Sequence, residues 1–322
     1  MRRRDVMLGL AGAGLSLPLR AQSPAWPTRP VRILVPFPPG GSNDVFARPL
    51  AERLQARTGQ PFVIENRAGA AGAIGAQQVA QSPPDGTTLM VASVSVPTAS
   101  IVQKTSWDPE RDFDAITTLA RAPFFVMVNP AVPARDVREL VALAKRRPGS
   151  LNYGTSGAGG INHFISESFS QAAGIEMAHV PYRGTAPAVT DLVAGNIQVM
   201  LTTVASASAA IREGRVRLLG ATADGAPPTE GIPEVPTVRQ QGIDWSFDIW
   251  WGLFGPRGLP PEMRAAIHAA AVAALADPAL ARTYSFEGAK PAPVGPEDFP
   301  RILREDMVRF RRIAEAANIR PE

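Results

Sequence analysis

The sequence contains no cysteine, and this absence excludes several kinds of protein at once. Without a thiol there is no disulfide framework, no thiolate nucleophile, and no zinc or iron–sulfur site with cysteine ligands. A lipid anchor attached to cysteine is excluded as well. The 32 prolines and 28 glycines are too few for a low-complexity chain. A globular protein with many turns is therefore expected.

The net charge is also small once the first residues are set aside. The formal net charge is +4, but residues 1–21 hold four arginines against one aspartate, which leaves the rest of the chain near +1. The phosphate backbone of DNA or RNA calls for a concentrated positive surface, and the aromatic residues do not alternate with the arginines. We therefore expect no nucleic-acid partner.

The sequence has no hydrophobic run long enough to cross a bilayer, which takes about 18 residues. A basic start is followed by a shorter apolar stretch over residues 6–19 and by the small residue Ala21. This order is typical of a signal peptide cleaved near Ala21, so export to the periplasm without a membrane anchor is expected. The paired Arg3 and Arg4 leave the Sec and twin-arginine routes both open.

Short apolar runs, loops rich in glycine or proline, and helical patterns recur in that order along the chain. Arg32–Pro36 reads as a strand and Asp44–Arg57 as a helix, and similar units follow. This alternation predicts an α/β fold with mostly parallel sheets flanked by helices. Because one core rarely exceeds about 300 residues, we expect two lobes. The predicted lobes are 22–123 with 244–322, and 124–243.

Three glycine-rich loops follow predicted strands and open predicted helices, over residues 37–43, 66–75 and 154–160. The backbone N–H groups at such helix starts can hold an anion without a charged side chain. Ligands of open α/β sheets bind at this carboxyl edge of the strands. The loops therefore predict an anion site.

Other chemistries fit less well. Neither later loop has the G-x-G-x-x-G spacing of dinucleotide sites. Ser156, with His163 and Glu167 nearby, leaves an exported serine hydrolase as an alternative, although the G-x-S-x-G spacing fails at its last glycine. The three histidines lack metal-ligand spacing, and no metal or cofactor is expected.

Several motifs, in order along nearly the whole predicted mature chain, point to one family. They are WPTRPVRILVPFPPGG at 26–41, ENRAG at 65–69, PDGTTL at 84–89, LNYG at 151–154, HVPYRG at 179–184 and EVPT at 234–237. In these motifs the sequence resembles the Bug, or TctC-type, periplasmic receptors of tripartite tricarboxylate transporters.

The resemblance implies a two-lobed "Venus flytrap" of the type II periplasmic-binding-protein architecture. A small carboxylate would lie between the lobes and be delivered to membrane permease subunits by a monomeric receptor that is not an enzyme. A receptor that instead serves as a ligand sensor for a signalling protein stays open. The implied ligand contacts are Phe37, Gly40, Gly41, Ser42, Asn43, Ser93, Ser95, Thr155, Ser156, Gly157, Ala158, Gly159, His163, Tyr182, Arg183, Gly184 and Thr202.

One departure from the family bears on the ligand. Where members commonly carry Phe-Asp-Asn-x-Pro, this chain has LTTVA at 201–205. Without that acidic residue we expect a ligand that carries no positively charged amine. Arg183 is the candidate cation for a bidentate grip on the carboxylate. Trp250 and Trp251 are expected to pack the junction of the lobes rather than to touch the ligand.

Overall fold

A computed structural model describes residues 26–225, 227–229 and 231–319 of the chain. The predicted signal peptide, residues 1–21, lies outside them. The strands are β1 (Val31–Val35), β2 (Phe62–Asn66), β3 (Thr88–Ser93), β4 (Phe113–Pro123), β5 (Phe125–Val128), β6 (Asn152–Thr155), β7 (Ala178–Pro181), β8 (Val199–Thr202), β9 (Arg217–Ala221), β10 (Asp248–Pro256) and β11 (Lys290–Pro291).

Helices follow most of these strands, as the alternating pattern predicts. They are α1 (Ser42–Thr58), α2 (Ala73–Ala80), α3 (Ser95–Val102), α4 (Val137–Arg146), α5 (Ile161–Ala173), α6 (Thr185–Ala194), α7 (Val204–Arg212), α8 (Pro261–Leu275), α9 (Pro278–Phe286) and α10 (Phe299–Ala316). No single helix among the described residues is long and apolar enough to cross a membrane. The helices α8 and α9 meet those criteria only together, and they are bent by 77°.

The strands form two sheets, and the order of strands is equivalent in both. The first sheet runs β11-β4-β10-β3-β1-β2, and the second runs β7-β6-β8-β5-β9. In each sheet most strands point the same way. The exceptions are β5 in the second sheet and β10 with β11 in the first. The α/β class with sheets flanked by helices is confirmed, but both sheets are mixed: four strand pairings are parallel and five antiparallel.

The apolar patterns of the sequence explain how the helices cover these sheets. Phe46, Leu50 and Leu54 recur at helical spacing on α1 and are fully buried against the first sheet. The equivalent stripe on α10 includes Phe310, whose ring meets that of Phe164 on α5 at 5.4 Å. The C-terminal helix α10, which covers the first sheet, therefore also packs against a helix of the second.

The two tryptophans of β10 belong to this core. Trp250 and Trp251 are each 1% exposed. The Trp250 ring packs edge-to-face on Phe299, and its Nε1 donates to Asp306 at 2.8 Å. The Trp251 ring lies 4.1 Å from that of Phe46. Both tryptophans therefore pack in the core of the first sheet, and that neither touches the ligand stays a prediction.

The chain crosses between the sheets from β4 to β5 and again from β9 to β10, and Thr222 ties the crossings together. Its hydroxyl accepts the Phe124 N–H at 2.8 Å and donates to the carbonyl of Phe247. Its own N–H and C=O bond to the same two residues. Thr222 is 1% exposed. The predicted lobe boundaries at 123/124 and 243/244 fall within these crossings and stay predictions.

Two elements depart from the sequence-based expectation. The segment Ser106–Asp114 reads as polar and the next predicted strand is Phe124–Val128, yet the long strand β4 already begins at Phe113. Ser93 to Ser95 is expected to continue β3, but the chain turns into α3 at Ser95. In β4 nearly every residue is buried, so the alternation that marks an amphipathic strand is missing.

Candidate functional site

Among the described residues, six helices follow parallel strands of the two sheets and have no side-chain cap. They are α1, α2, α3, α5, α6 and α7, whose N-cap residues are Gly41, Gly72, Val94, Gly160, Gly184 and Thr203. By contrast, α4 and α9 are capped by the carboxylates of Asp136 and Asp277. The first N–H groups of an uncapped helix need another acceptor, and an anion can supply it.

The first of the three predicted loops, residues 37–43, is fixed by the side chain of Asp44 on α1. The carboxylate of Asp44, 3% exposed, accepts the Gly40 N–H at 2.9 Å and a two-pronged bond from Arg48. Asn66 joins it by donating both to Asp44 and to the carbonyl of Phe37. Since Gly40 is engaged, the N–H groups of Ser42 and Asn43 are the donors left open at this end of α1, within the described part of the chain.

Burial alone raises the pKa of Asp44. Hydrogen bonds from Arg48, Gly40 and Asn66 outweigh it and hold the pKa below its ordinary value. The carboxylate therefore stays ionised at neutral pH, and it fixes the loop rather than accepting a proton from a ligand. Sequence reasoning missed this residue, although the i,i+4 spacing of Asp44 and Arg48 was a usable signal.

Ser93 and Ser95 lie beside this loop. The side-chain oxygen of Asn43 accepts the Ser93 N–H at 2.6 Å, which joins the start of α1 to the end of β3. The hydroxyl of Ser93 donates to that of Ser95 at 3.0 Å. Asn43 and Ser93 are buried, whereas Ser95 is half-buried at the first position of α3. The structure therefore brings three of the predicted site residues into one hydrogen-bonded group.

Residues 155–160, here named the ligand loop, present the donors of the second sheet. Gly157 N–H bonds to the Thr155 hydroxyl, Gly159 N–H to His163 Nδ1, and Gly160 N–H to the Gly157 carbonyl. Within the described residues, the N–H groups of Ser156 and Ala158 have no such partner. Sequence reasoning could name the loop, but it could not tell the engaged donors from the open ones.

Asn162 was also missed by sequence reasoning. Its side-chain oxygen accepts from the Ser156 hydroxyl at 3.1 Å, and its Nδ2 donates to the carbonyl of Leu201 at 2.7 Å. The residue is buried and connects the ligand loop to the end of β8, where Thr202 lies. Because the Ser156 hydroxyl donates to an amide oxygen, it has no base as a hydrogen-bond partner in this arrangement.

The ligand loop reaches across to the first sheet's side of the molecule. Gly159 has φ +70°, and a methyl group built on it would lie 2.6 Å from Cγ2 of Val102, at the end of α3. Ala158 and Gly159 are therefore next to the helix that begins at Ser95. The last residue of α3 thus joins the ligand loop to the first sheet. That helix starts of both sheets face one ligand stays a prediction.

The remaining predicted residues lie near the second sheet. Tyr182 donates its hydroxyl to Asp191 at 2.7 Å, and burial together with that bond raises the pKa of Tyr182 to about 12. Arg183 is exposed, and within the described residues its guanidinium has no protein partner. Gly184 opens α6 with φ +118°. His163 is 9% exposed and hydrogen-bonded to the ligand loop. That these residues touch ligand stays a prediction.

Two further observations bear on what the site could hold. Among the described residues no group of three or more histidine or acidic side chains is placed to bind a metal ion. A cavity of about 250 Å³, lined by Phe125, Val204 and Gly288 among others, lies beside the crossings. None of the predicted site residues lines it, and we place the candidate site at the loops, which carry the open N–H groups.

Comparison of the sequence with known proteins identifies a family. The sequence profile of the family described as "Tripartite tricarboxylate transporter family receptor", TctC, matches residues 46–319. The chain is similar to the protein BugT of Bordetella pertussis. The two are 30% identical over 316 residues, and the alignment covers 96% of each chain.

Two solved structures with named ligands are also similar. R. palustris Rpa4515 with adipate is 32% identical at a TM-score of 0.81, over 92% of this chain and 100% of that one. MatC (Rpa3494) from Rhodopseudomonas palustris with bound malate is 29% identical at a TM-score of 0.76, over 89% and 99%. Both ligands are small carboxylic acids, and both proteins share this fold.

Proposed function

The chain belongs to the TctC family of tripartite tricarboxylate transporter receptors, and from this premise we propose that it captures a small carboxylate between its two sheets. It would act in the periplasm as a freely diffusing monomer and deliver the ligand to the membrane subunits of such a transporter. Receptors of the family are periplasmic binding proteins. The predicted leader, which lies outside the described residues, supports the same location.

The observation that carries the proposal is the set of uncapped helix starts after parallel strands of both sheets. The open N–H groups of Ser42 and Asn43 at the first sheet, and of Ser156 and Ala158 at the second, suit carboxylate oxygens. A ligand that bonds to both sides stabilises the arrangement in which the sides are close, because only that arrangement makes both sets of contacts. The adipate and malate complexes of similar proteins support the same ligand class.

A thermal-shift screen of the exported protein tests the proposal. Mono-, di- and tricarboxylates would be compared with their uncharged amides, for example adipate with adipamide. A ligand at 100 times its Kd raises the free energy of unfolding by about 2.7 kcal/mol. We expect at least one carboxylate, and none of the amides, to raise the melting temperature. No shift with any carboxylate would contradict the proposal.

The alternatives need further measurements, of ester turnover for the hydrolase and of the membrane partner for the sensor. A serine hydrolase would convert an ester at a rate that Ser156→Ala abolishes, whereas a receptor returns its ligand chemically unchanged. A sensor would bind the carboxylate equally well but would deliver its signal to a membrane protein other than a permease. The bond from the Ser156 hydroxyl to Asn162 favours the receptor over the hydrolase.

Arg183→Ala is expected to weaken carboxylate binding at least tenfold, which corresponds to about 1.4 kcal/mol. The guanidinium is exposed beside the start of α6 and could form a two-pronged bond to a carboxylate. Isothermal titration with the best carboxylate of the screen measures the change. Arg138→Ala, which removes an exposed arginine already paired with Asp136, is the matched control. An unchanged Kd would remove Arg183 from the site.

The ligand is expected to lack a cationic amine. Acidic groups near the loops already have partners, since Asp44 pairs with Arg48, Asp191 with Tyr182, and Glu167 with Tyr153. For the dicarboxylate that binds best, we expect the 2-amino derivative to bind at least about tenfold more weakly, because its amine would lose water without gaining a counter-charge. Competition titration measures the ratio. Tighter binding of the amino acid would overturn this expectation.

A further inference from the structure

Three aromatic rings lie together next to the ligand loop, and two of them bond to it. The imidazoles of His163, on α5, and His179, on β7, lie 3.8 Å apart between centroids with their planes 16° from parallel. The ring of Tyr153, on β6, lies 5.1 Å from that of His179 and 6.4 Å from that of His163, so Tyr153 is beside the imidazole pair. Tyr153 is fully buried, and His179 is half-buried. Two imidazoles in face-to-face contact are compatible when neither carries a positive charge.

Each imidazole holds one part of the ligand loop. Nδ1 of His163 accepts the Gly159 N–H at 3.1 Å. Nε2 of His179 is 2.7 Å from the hydroxyl of Thr155, which also bonds to both the N–H and the carbonyl of Gly157. The two rings therefore fix the backbone on either side of Ala158, one of the two residues whose N–H is left open.

The bond to Gly159 defines the protonation state of His163. Since Nδ1 is an acceptor, a neutral ring carries its proton on Nε2, which lies 4.0 Å from Oε1 of Glu167. That carboxylate already accepts the Tyr153 hydroxyl. A second proton on His163 would go to Nδ1 and would set one N–H against another, so the ring could no longer hold Gly159.

The charged and titratable groups that face His163 are few. They are Tyr153 from β6, His179 from β7 and Glu167 from α5 itself, while α3, which meets the loop through Val102, has no titratable side chain. Burial first, and then the neighbouring His179, lower the pKa of His163 to about 4. Burial lowers the pKa of His179 as well. At neutral pH both rings are therefore uncharged.

We propose that His163 and His179 are positioning residues that hold the ligand loop in its carboxylate-binding form, and that His163 does so only while its ring is neutral. The inference rests on the proposed function, because the loop is taken to bind the carboxylate. Neither ring needs to touch the ligand. They act through Gly159 and Thr155 on the direction of the open N–H groups at Ser156 and Ala158.

Paired substitutions separate hydrogen bonding from the filling of space. The side-chain oxygen of Asn can take the place of His163 Nδ1, and the end of a Gln side chain can take that of His179 Nε2. We expect His163→Leu and His179→Leu to weaken carboxylate binding about tenfold or more at pH 7.5. His163→Asn and His179→Gln should retain wild-type affinity to within about threefold. Equal losses in the Leu and amide variants, or no loss in folded Leu variants, would overturn the proposal.

A pH series on the wild type and His163→Asn tests the requirement for a neutral His163 ring. When the pKa is about 4, half of the His163 rings are protonated at pH 4. The affinity of the wild type should therefore fall about twofold relative to that of His163→Asn between pH 7.5 and pH 4. Titration of the ligand itself is common to both proteins and cancels in the ratio. A ratio that stays constant would contradict the requirement.

Amide hydrogen exchange without ligand distinguishes failure of this inference from failure of the proposed function. In the wild type the Gly157 and Gly159 amides should be protected, and His163→Leu should abolish the protection at Gly159. His163→Asn should keep it. If this pattern is found but no carboxylate binds, the proposed function fails while the positioning role stands. If Gly159 exchanges equally fast in all three proteins, the positioning role fails.

Discussion

Gly159→Ala should weaken carboxylate binding by about 100-fold, or about 2.7 kcal/mol. The new methyl group would lie 2.6 Å from Cγ2 of Val102, closer than two carbon atoms can approach, so the ligand loop could not meet α3 as it does now. Crowding of this kind costs about 1–3 kcal/mol, and the left-handed φ of +70° adds about 1 kcal/mol for a residue with a side chain. Isothermal titration measures the loss.

Two controls separate the steric contact from the backbone strain. Gly59→Ala, outside the candidate site, carries a similar strain at φ +71°, but its methyl group would meet no atom within 4 Å, so binding should stay close to that of the wild type. The double variant Gly159→Ala with Val102→Ala keeps the strain and removes both methyl branches, while Cβ of residue 102 stays 2.9 Å from the new methyl group. We expect it to regain part of the affinity. If it binds as weakly as Gly159→Ala alone, the contact between the ligand loop and α3 is not what limits binding.

Thr222→Val should lower the free energy of unfolding by about 3 kcal/mol and the melting temperature by roughly 5–10 °C. The hydroxyl accepts from Phe124 and donates to Phe247 inside the pair of crossings, and valine has nearly the same shape without it. The substitution would leave one buried N–H and one buried carbonyl without partners. Each unsatisfied group costs about 1–3 kcal/mol.

Thr222→Ser is the matched variant, because it keeps the hydroxyl and loses a methyl group. Thermal unfolding of the three proteins in the absence of ligand should place Ser close to the wild type and Val well below both. A valine variant as stable as the wild type would show that the Phe124 and Phe247 groups find other partners. The crossings would then not depend on the Thr222 hydroxyl.

The class of fold and the positions of the candidate loops could be predicted from the sequence. Both depend on the succession of elements along short stretches of the chain. A strand, a glycine-rich turn and a helix in succession place N–H groups at one sheet edge whatever the rest of the chain does. The loop at 37–43 and the ligand loop were found in this way. Their bounds differ from the observed elements by a few residues, as at α1, which begins at Ser42.

What the sequence could not supply are contacts between residues far apart in the chain. The bond between His163 and Gly159 is local. The proposed positioning role of that bond, however, also involves His179, sixteen positions later, whose ring packs against that of His163. Likewise, no periodicity indicates that Asn43 bonds to Ser93. The open and engaged donors of each loop follow from such pairings, so the loops could be named but their donors could not be assigned.

The position of β10 has a consequence for the order in which the chain can assemble. In the first sheet β10 lies between β3 and β4, so these two strands have no common partner until residues 248–256 have been synthesised. The second sheet is different, since all its strands lie between residues 125 and 221. The half of the molecule that is begun first is therefore completed last. Its central strand comes from a part of the chain made after the whole of the other sheet.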